Sequence, residues 1–202
     1  MTLDHRTDTR RRSMSGLFGR LLRRRDGATV IEFALLSMPF FLIVFASLET
    51  FVAFSAEQIL AKATDTMARK IRTGEITFNL GRSTDMTGPQ FRKAYCDEIA
   101  ILMPCSASEL STPNKLFIDV RSFAKFSDIS KTIPLKGSDL DTDAFTFTPG
   151  GKKSINIVRA YYRWDIATDL VRPYISSVKS VDGSSQNYLM VATAVIQNED
   201  YP

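Results

Sequence analysis

Cys96 and Cys105 are the two side chains best suited to covalent chemistry, and they are the only cysteines among 202 residues. Two thiols form a disulfide or contribute ligands to a metal site. A tetrahedral zinc site needs four protein ligands or three and a water, and the only histidine is His5. The residues therefore favour a disulfide, provided that the compartment is oxidising. No metal and no other cofactor is predicted.

Three carboxylates alternate in the segment KGSDLDTD, as Asp139, Asp141 and Asp143. Such alternation is typical of a calcium loop, but the glycine and the distal glutamate of that motif are missing at the required positions. The pattern favours a solvated acidic loop. With His5 as the sole histidine, the sequence also lacks Ser/His/Asp and Cys/His arrangements. We predict a protein that is not an enzyme.

A long apolar stretch occupies residues 28–56, where Glu32 and Glu49 are the only charged side chains. Residues 33–48 carry no charge at all. A helix rises 1.5 Å per residue, so roughly 20 residues cross a hydrocarbon layer of about 30 Å. The stretch is long enough, and it predicts one transmembrane helix.

The basic character of the chain is confined to its start. Residues 1–27 hold eight arginines and three aspartates, whereas the remainder holds 18 basic and 19 acidic residues. This distribution places the N-terminus in the cytoplasm and the residues from about 57 onward outside, where cysteines oxidise. A basic folded face is missing, so no nucleic acid binding is expected.

These observations allow two interpretations of the apolar stretch: a signal that is removed, or a helix that stays on the mature protein. A secretory signal has a short basic start, 7 to 15 apolar residues and a small-residue cleavage site. Here both parts are longer, yet Ala53 and Ser55 flank Phe54 as a small-x-small site. A removed signal therefore remains an alternative to a retained helix.

The junction RRRDG/ATVIEF favours a retained helix. Gly27 separates the arginines from the apolar helix, and Glu32 followed by Phe33 comes five residues later. This resembles the processing site of type IV prepilins, in particular the TadE-like proteins of the tight-adherence (Tad/Flp) system. The resemblance implies that a prepilin peptidase cuts on the cytoplasmic side between Gly27 and Ala28, leaving the helix on the mature chain.

The position of Glu32 in that pattern also has a physical explanation. A carboxylate at mid-bilayer costs about 2.5 to 3.5 kcal/mol and less near the interface, so it usually has a partner. After cleavage the new amine of Ala28 and the positive end of the helix dipole both lie near it. The resemblance implies pairing with the amine of a neighbouring subunit. The alternative is a carboxylate that reaches the headgroups from an uncleaved anchor.

The elements beyond the apolar stretch suit a folded outer domain. Ile59, Ala63, Met67 and Ile71 recur every four residues and predict an amphipathic continuation of the helix up to Gly74. Residues 75–90 have a loop composition, and residues 91–103 form a helix that ends at Pro104. An unbroken helix would hold the two cysteines about 13.5 Å apart, so a disulfide requires the chain to turn back there.

Three segments predict strands: residues 116–126, 154–166 and 187–199, each rich in β-branched and aromatic side chains. Trp164, Tyr161 and Tyr162 are interpreted as strand packing. The fold class is thus α+β, with a long N-terminal transmembrane helix and a head that has an antiparallel sheet and a short disulfide-stapled helix. The expected division is a leader (1–27, removed), a transmembrane helix (28–56) and a periplasmic pilin-like domain (57–202).

Together the residues and the resemblance predict a minor pilin or pseudopilin of Tad/Flp pilus biogenesis in the bacterial inner membrane. Its expected partners are the membrane, the prepilin peptidase, other pilin or pseudopilin subunits and the pilus assembly platform. The alternative is a periplasmic binding module held by one uncleaved span and unrelated to pili.

Overall fold

The computed structural model describes residues 25–167, 172, 176–179 and 186–201, with side chains described from Thr29 onward. The chain divides into two compact units, Met1–Phe45 and Ala46–Pro202. Most of the predicted leader, including His5, lies outside the described residues. The predicted domain boundaries after residues 27 and 56 stay predictions.

The helices whose bounds fall within the described residues are α1 (Arg25–Arg72), α2 (Gly88–Ile99) and α3 (Ala107–Ser111), and a 3₁₀ turn covers Phe126–Asp128. The strands are β1 (Leu116–Phe123), β2 (Leu135–Lys136), β3 (Asp139–Leu140), β4 (Phe147–Thr148), β5 (Ile155–Asp165), β6 (Val178–Lys179) and β7 (Gln186–Gln197). The predicted α+β class is confirmed.

Helix α1 runs for 48 residues because its sequence offers nothing that stops a helix before Arg72. Residues 28–73 contain no glycine, and Pro39 is the single proline; the kink expected at Pro39 stays a prediction. The helix ends where the sequence predicted. Gly74 has a φ of +79°, and a Cβ at that position would lie 2.7 Å from the ring of Tyr201.

The three predicted strands form the centre of a sheet with the order β4-β1-β5-β7-β6. The β1–β5 and β5–β7 pairs are antiparallel, with Val120 opposite Val158 and Val158 opposite Ala194. The sheet extends beyond the three predicted strands at both edges: β6 pairs antiparallel with β7 through Val178 and Asn187, and β4 pairs parallel to β1 through Val120 and Phe147. Strand β4 is only two residues long and was too short to recognise in the sequence.

The core of the second unit lies between this sheet and the helices. Leu60, Met67 and Ile71 of α1 are at most 1% exposed and belong to the same buried cluster as Tyr95 of α2 and Met190 of β7. A smaller cluster that includes Tyr161 and Leu189 is separate from it. The predicted amphipathic stripe on α1 is thus the helix face that covers the sheet.

Helix α2 begins three residues before its predicted start. Thr87 is the N-cap: its side chain accepts a hydrogen bond from the Gln90 N–H, and Oε1 of Gln90 accepts one from the Thr87 N–H. This is a capping box, with Pro89 in the first turn. The helix ends at Ile99, four residues before the predicted end at Met103. The Ile99 carbonyl accepts the N–H of Met103 at 3.0 Å, and Pro104 follows that turn.

Candidate functional site

The backbone of the predicted processing site, Gly27 and Ala28, is helical and belongs to the first turn of α1 as described. A peptidase that reads an extended backbone needs that turn unwound. The first four N–H groups of a helix have no partner within the helix, so its first turn opens at little cost. Cleavage between Gly27 and Ala28 stays a prediction.

Glu32 and Phe33 follow one turn later on α1, and both side chains are exposed. Glu32 is four residues from Ala28, which places both on one helix face about 6 Å apart along the axis. Phe33 and Leu35 are each 70% exposed, and Leu36 is 72% exposed. The carboxylate thus lies in the chain among apolar side chains that no other part of the described chain covers.

The exposed apolar surface continues along the helix well beyond Phe33. Among the described residues, α1 is the one helix long and apolar enough to cross a membrane, judged by length and composition. Its exposed large apolar side chains are Val30, Ile31, Phe33, Leu35, Leu36, Met38, Phe40, Phe41, Leu42, Ile43, Phe45, Leu48, Phe51, Val52 and Phe54. A continuous apolar surface of this kind needs lipid or other protein around it.

The predicted disulfide is present. Cys96, in α2, is bonded to Cys105 with a Cα–Cα distance of 5.7 Å. The chain reaches this distance because it turns back after Ile99, as the spacing required. The bond therefore closes a helix-to-loop staple beside the core.

The acidic segment is more ordered than the predicted solvated loop. Asp139 accepts a hydrogen bond from Arg163 at 2.7 Å in a half-buried ion pair, and Asp143 lies 3.1 Å from Lys136. Asp141 accepts the backbone N–H of Asp143. Across the described part of the chain, no group of three or more His, Cys, Asp or Glu side chains is positioned to hold a metal ion. The three carboxylates therefore form contacts within the β2–β3 region and between that region and β5.

Comparison with known families identifies the helix that carries these residues. Residues 27–69 match the family model described as TadE-like protein. This segment is TadE-like. It begins at Gly27, contains Glu32 and Phe33, and spans roughly a fifth of the 202 residues. No curated protein and no solved structure matches the chain. The match associates the chain with the Tad pilus system and with membranes.

The TadE-like segment also makes specific polar contacts with the head. Glu49 accepts the backbone N–H of Ala167, and Glu57 accepts the hydroxyl of Tyr188 at 2.6 Å. The hydrogen bond to Glu57 raises the pKa of Tyr188 above its usual value, with burial adding to the shift. Both acids lie on one face of α1, eight residues apart. These two hydrogen bonds hold α1 against the end of the sheet where β5 ends and β7 begins.

These two contacts were not predicted from the sequence. In the sequence, Glu49 is marked only as the charge that follows the uncharged residues 33–48, and Glu57 is one of several charges that come after it. The spacing of 49, 53 and 57 was a usable signal, because it continues a helix face that borders the stripe of Ala56, Leu60 and Ala63. The partners themselves, more than a hundred residues away, left no local signal.

Trp164 behaves differently from its two aromatic neighbours. Tyr161 and Tyr162 are buried at 1% and 8% exposure, which confirms their interpretation as strand packing. Trp164 is only half-buried, packs on the edge of the core and also lines two surface grooves. Only part of the Trp164 side chain is therefore in contact with the core, and the rest faces the two grooves.

Proposed function

We propose that this chain is a minor pilin or pseudopilin that acts in assembly of the Tad/Flp pilus and in adhesion. The observation that carries the proposal is the TadE-like segment, which coincides with an exposed apolar helix bearing Glu32 in its second turn. A folded α+β head with a disulfide follows the helix. This is the arrangement that an assembly subunit needs: an anchor before assembly and a head that remains outside.

The proposed maturation starts from a chain with a cytoplasmic leader at residues 1–27. A prepilin peptidase cuts after Gly27, which frees the amine of Ala28 and leaves residues 28–56 in the inner membrane. The head, residues 57–202, then lies in the periplasm. The arginines of the leader support this orientation through the positive-inside rule.

Assembly would replace lipid around α1 by the helices of neighbouring subunits. Helices in a membrane associate through close packing and interhelical hydrogen bonds, because lipid tails are as apolar as their side chains. In such a bundle the Glu32 carboxylate would meet the amine of a neighbouring subunit, which fixes the axial register. The protein's role in this proposal is structural, with the assembly platform and other pilin subunits as partners and no catalytic step of its own.

The decisive experiment is the N-terminal sequence and intact mass of the protein isolated from its native membrane. We expect a chain that starts at Ala28 and lacks 27 residues. The Gly27→Leu variant should keep its full mass, because a bulky side chain blocks close approach of the backbone to the peptidase. Gly19→Leu, eight residues earlier in the leader, is the matched control and should still be cut.

The same measurement separates the competing hypotheses. Native protein that begins at Met1 would support a permanently tethered binding module instead. Native protein that begins near Ala56 would mean that the apolar stretch is a removed signal. Either result contradicts the proposed maturation.

A further inference from the structure

One edge of the five-stranded sheet is left largely uncovered by the described chain. Strand β6 pairs with β7 only at Gln186 and Asn187, whereas β7 continues to Gln197. Successive residues of an antiparallel strand direct their backbone groups to alternate edges. The Asn187 carbonyl accepts the N–H of Ser177, on the β6 side, so the odd-numbered residues of β7 direct their N–H and C=O groups outward.

The open edge of β7 consists of Val191, Thr193 and Val195. Their outward N–H and C=O groups form no backbone hydrogen bond with another described residue. Val191 is 38% exposed, Val195 is 42% exposed, and Thr193 is exposed as well. All three are β-branched, and none is a charged residue or a proline of the kind that protects natural edge strands. The open edge is therefore a template for one more strand.

A groove of about 510 Å³ runs along the open edge on the side of α1. It is lined by one face of the helix and the second half of the strand: Asp65, Ala68, Arg69, Arg72 and residues 193–196. Nε of Arg72 lies 3.3 Å from Oε1 of Glu199. Asp65 and Arg69 are exposed and form no ion pair with a described residue. The groove thus offers one negative and one positive charge to a ligand.

A strand added to the open edge has different surroundings on its two faces. Ala192 and Ala194 belong to the buried cluster that includes Met67 of α1, so the even-numbered side chains of β7 face the helix. Val191 and Val195 project from the opposite face. The added strand therefore places alternate side chains beside exposed apolar groups and beside the charges of α1.

Helix α1 and strand β7 run in the same direction. Tyr188, near the start of β7, contacts Glu57, and the N–H of Glu199, just beyond its end, donates to the Arg72 carbonyl at 2.9 Å. Symmetric pairing of the open edges of two copies is antiparallel and turns their helices in opposite directions. Helices that enter one membrane from the same side cannot be arranged in this way. Membrane anchoring therefore excludes such a pair as the occupant.

We propose that the open edge binds an extended segment of another protein, which joins the sheet as a strand antiparallel to β7. Its β-branched side chains lie beside Val191 and Val195. Because Asp65 precedes Arg69 on α1, the antiparallel segment presents an acidic residue to Arg69 and, two residues later, a basic residue to Asp65. The inference rests on the membrane-anchoring part of the proposed function and is independent of cleavage after Gly27.

The test uses two six-residue peptides of the same composition, capped at both ends. EVKVTV is designed to place its glutamate opposite Ile196, its lysine opposite Ala194 and its valines opposite the three residues of the open edge. KVEVTV exchanges the two charges. Full-length protein in detergent micelles is titrated with each peptide carrying a fluorescent label, and anisotropy measures binding. EVKVTV should bind saturably and several-fold more tightly, because the exchange turns two attractive contacts into two repulsive ones.

Exchange of charges on the protein locates the bound peptide. The double variant Asp65→Arg and Arg69→Asp should reverse the preference, so that KVEVTV binds more tightly than EVKVTV. The double variant Lys93→Asp and Asp97→Lys makes the same kind of exchange in an exposed pair on α2 and should keep the preference for EVKVTV. Circular dichroism and an intact disulfide verify the fold of both.

Thr193→Pro tests the backbone contacts of the open edge. Proline is tolerated in an edge strand where its nitrogen faces away from the sheet, and here it removes one outward donor. Binding of EVKVTV should weaken by about tenfold or more. In the unchanged protein, amide hydrogen exchange of Val191, Thr193 and Val195, followed by NMR, should slow when EVKVTV is added.

Four results would overturn the proposal. They are equal affinities for the two peptides, an unchanged preference after charge exchange on α1, unchanged binding by Thr193→Pro, and slow hydrogen exchange at the open edge of a dimeric protein without peptide. The last result would assign the edge to a second copy. Failure of the protein to float with lipid vesicles would instead reject membrane anchoring, and an uncleaved leader would contradict the proposed maturation alone.

Discussion

Two stretches of the continuous helix α1 have side-chain patterns that suit two different environments. Residues 29–54 place large apolar side chains all around the helix, and Met38 is 79% exposed while Leu36 is 72% exposed. Residues 56–71 confine their apolar side chains to one face, where Leu60 and Met67 are at most 1% exposed. The first pattern suits lipid or other helices on every side, and the second suits one protein surface.

Side-chain size differs between the two stretches as well as polarity. The buried face of the second stretch includes Ala56, Ala63 and Ala68, which belong to the same cluster as Ala192 and Ala194 of β7. Small residues therefore lie on both sides of this contact between the helix and the sheet. The first stretch instead carries nine large side chains between Phe33 and Phe45 that are 37% to 79% exposed.

The largest expected effect comes from truncating the buried face. Leu60→Ala should lower the free energy of unfolding of the head by about 2 to 5 kcal/mol, because it removes buried methyl groups and leaves a cavity. Leu36→Ala makes the same chemical change on an exposed position and should leave the stability of the head unchanged. Denaturant unfolding in detergent, followed by Trp164 fluorescence, measures both.

Equal losses in the two variants would contradict the comparison. They would mean that the first stretch contributes to the stability of the head as the second does.

A smaller effect is expected from the disulfide, which acts on the head and not on the apolar stretch. The double variant Cys96→Ala and Cys105→Ala should lose about 2.5 to 3 kcal/mol, the value that loop entropy assigns to so short a closed loop. Reduction of the unchanged protein should lower its stability by a similar amount. Helicity of the apolar stretch in detergent, measured by circular dichroism, should not change in either case.

Much of this architecture was predictable because its signals are local. The period of the apolar residues on α1, the β-branched segments of β1, β5 and β7, and Gly74 each act within a few residues. The disulfide followed from two cysteines and a proline. The start of α2 was predicted three residues late although Thr87 and Gln90 spelled out a capping box. The residues that set this start are local, so the start was predictable from the sequence.

Other features could not be predicted because they depend on residues far apart in sequence. Strand β4 pairs with β1 through two residues, and no periodicity marks so short a segment. Glu109 is buried because it accepts the N–H groups of Asn114, Lys115 and Leu116, which requires the loop to close around it. Asp139 pairs with Arg163 only once β5 is placed. Each contact is a product of the fold.

The smallest expected effect concerns the point where the first stretch of α1 gives way to the second. There Glu57 accepts the hydroxyl of Tyr188, and this bond raises the pKa of Tyr188. A tyrosine whose pKa is raised on folding adds stability that is complete below its unfolded pKa of about 10. That stability is lost as the pH rises through the higher pKa of the folded state. The head should therefore weaken slightly in alkali, from above pH 10.

Glu57→Gln tests the cause directly, because a neutral amide accepts the hydroxyl but no longer repels the phenolate. In this variant Tyr188 should ionise at lower pH than in the unchanged protein, as seen in tyrosinate absorbance after subtraction of a Tyr188→Phe background. Glu75→Gln should leave the titration where it was. An unshifted titration in Glu57→Gln would mean that burial alone perturbs Tyr188. Glu57 would then hold the helix to the sheet without setting the charge at their junction.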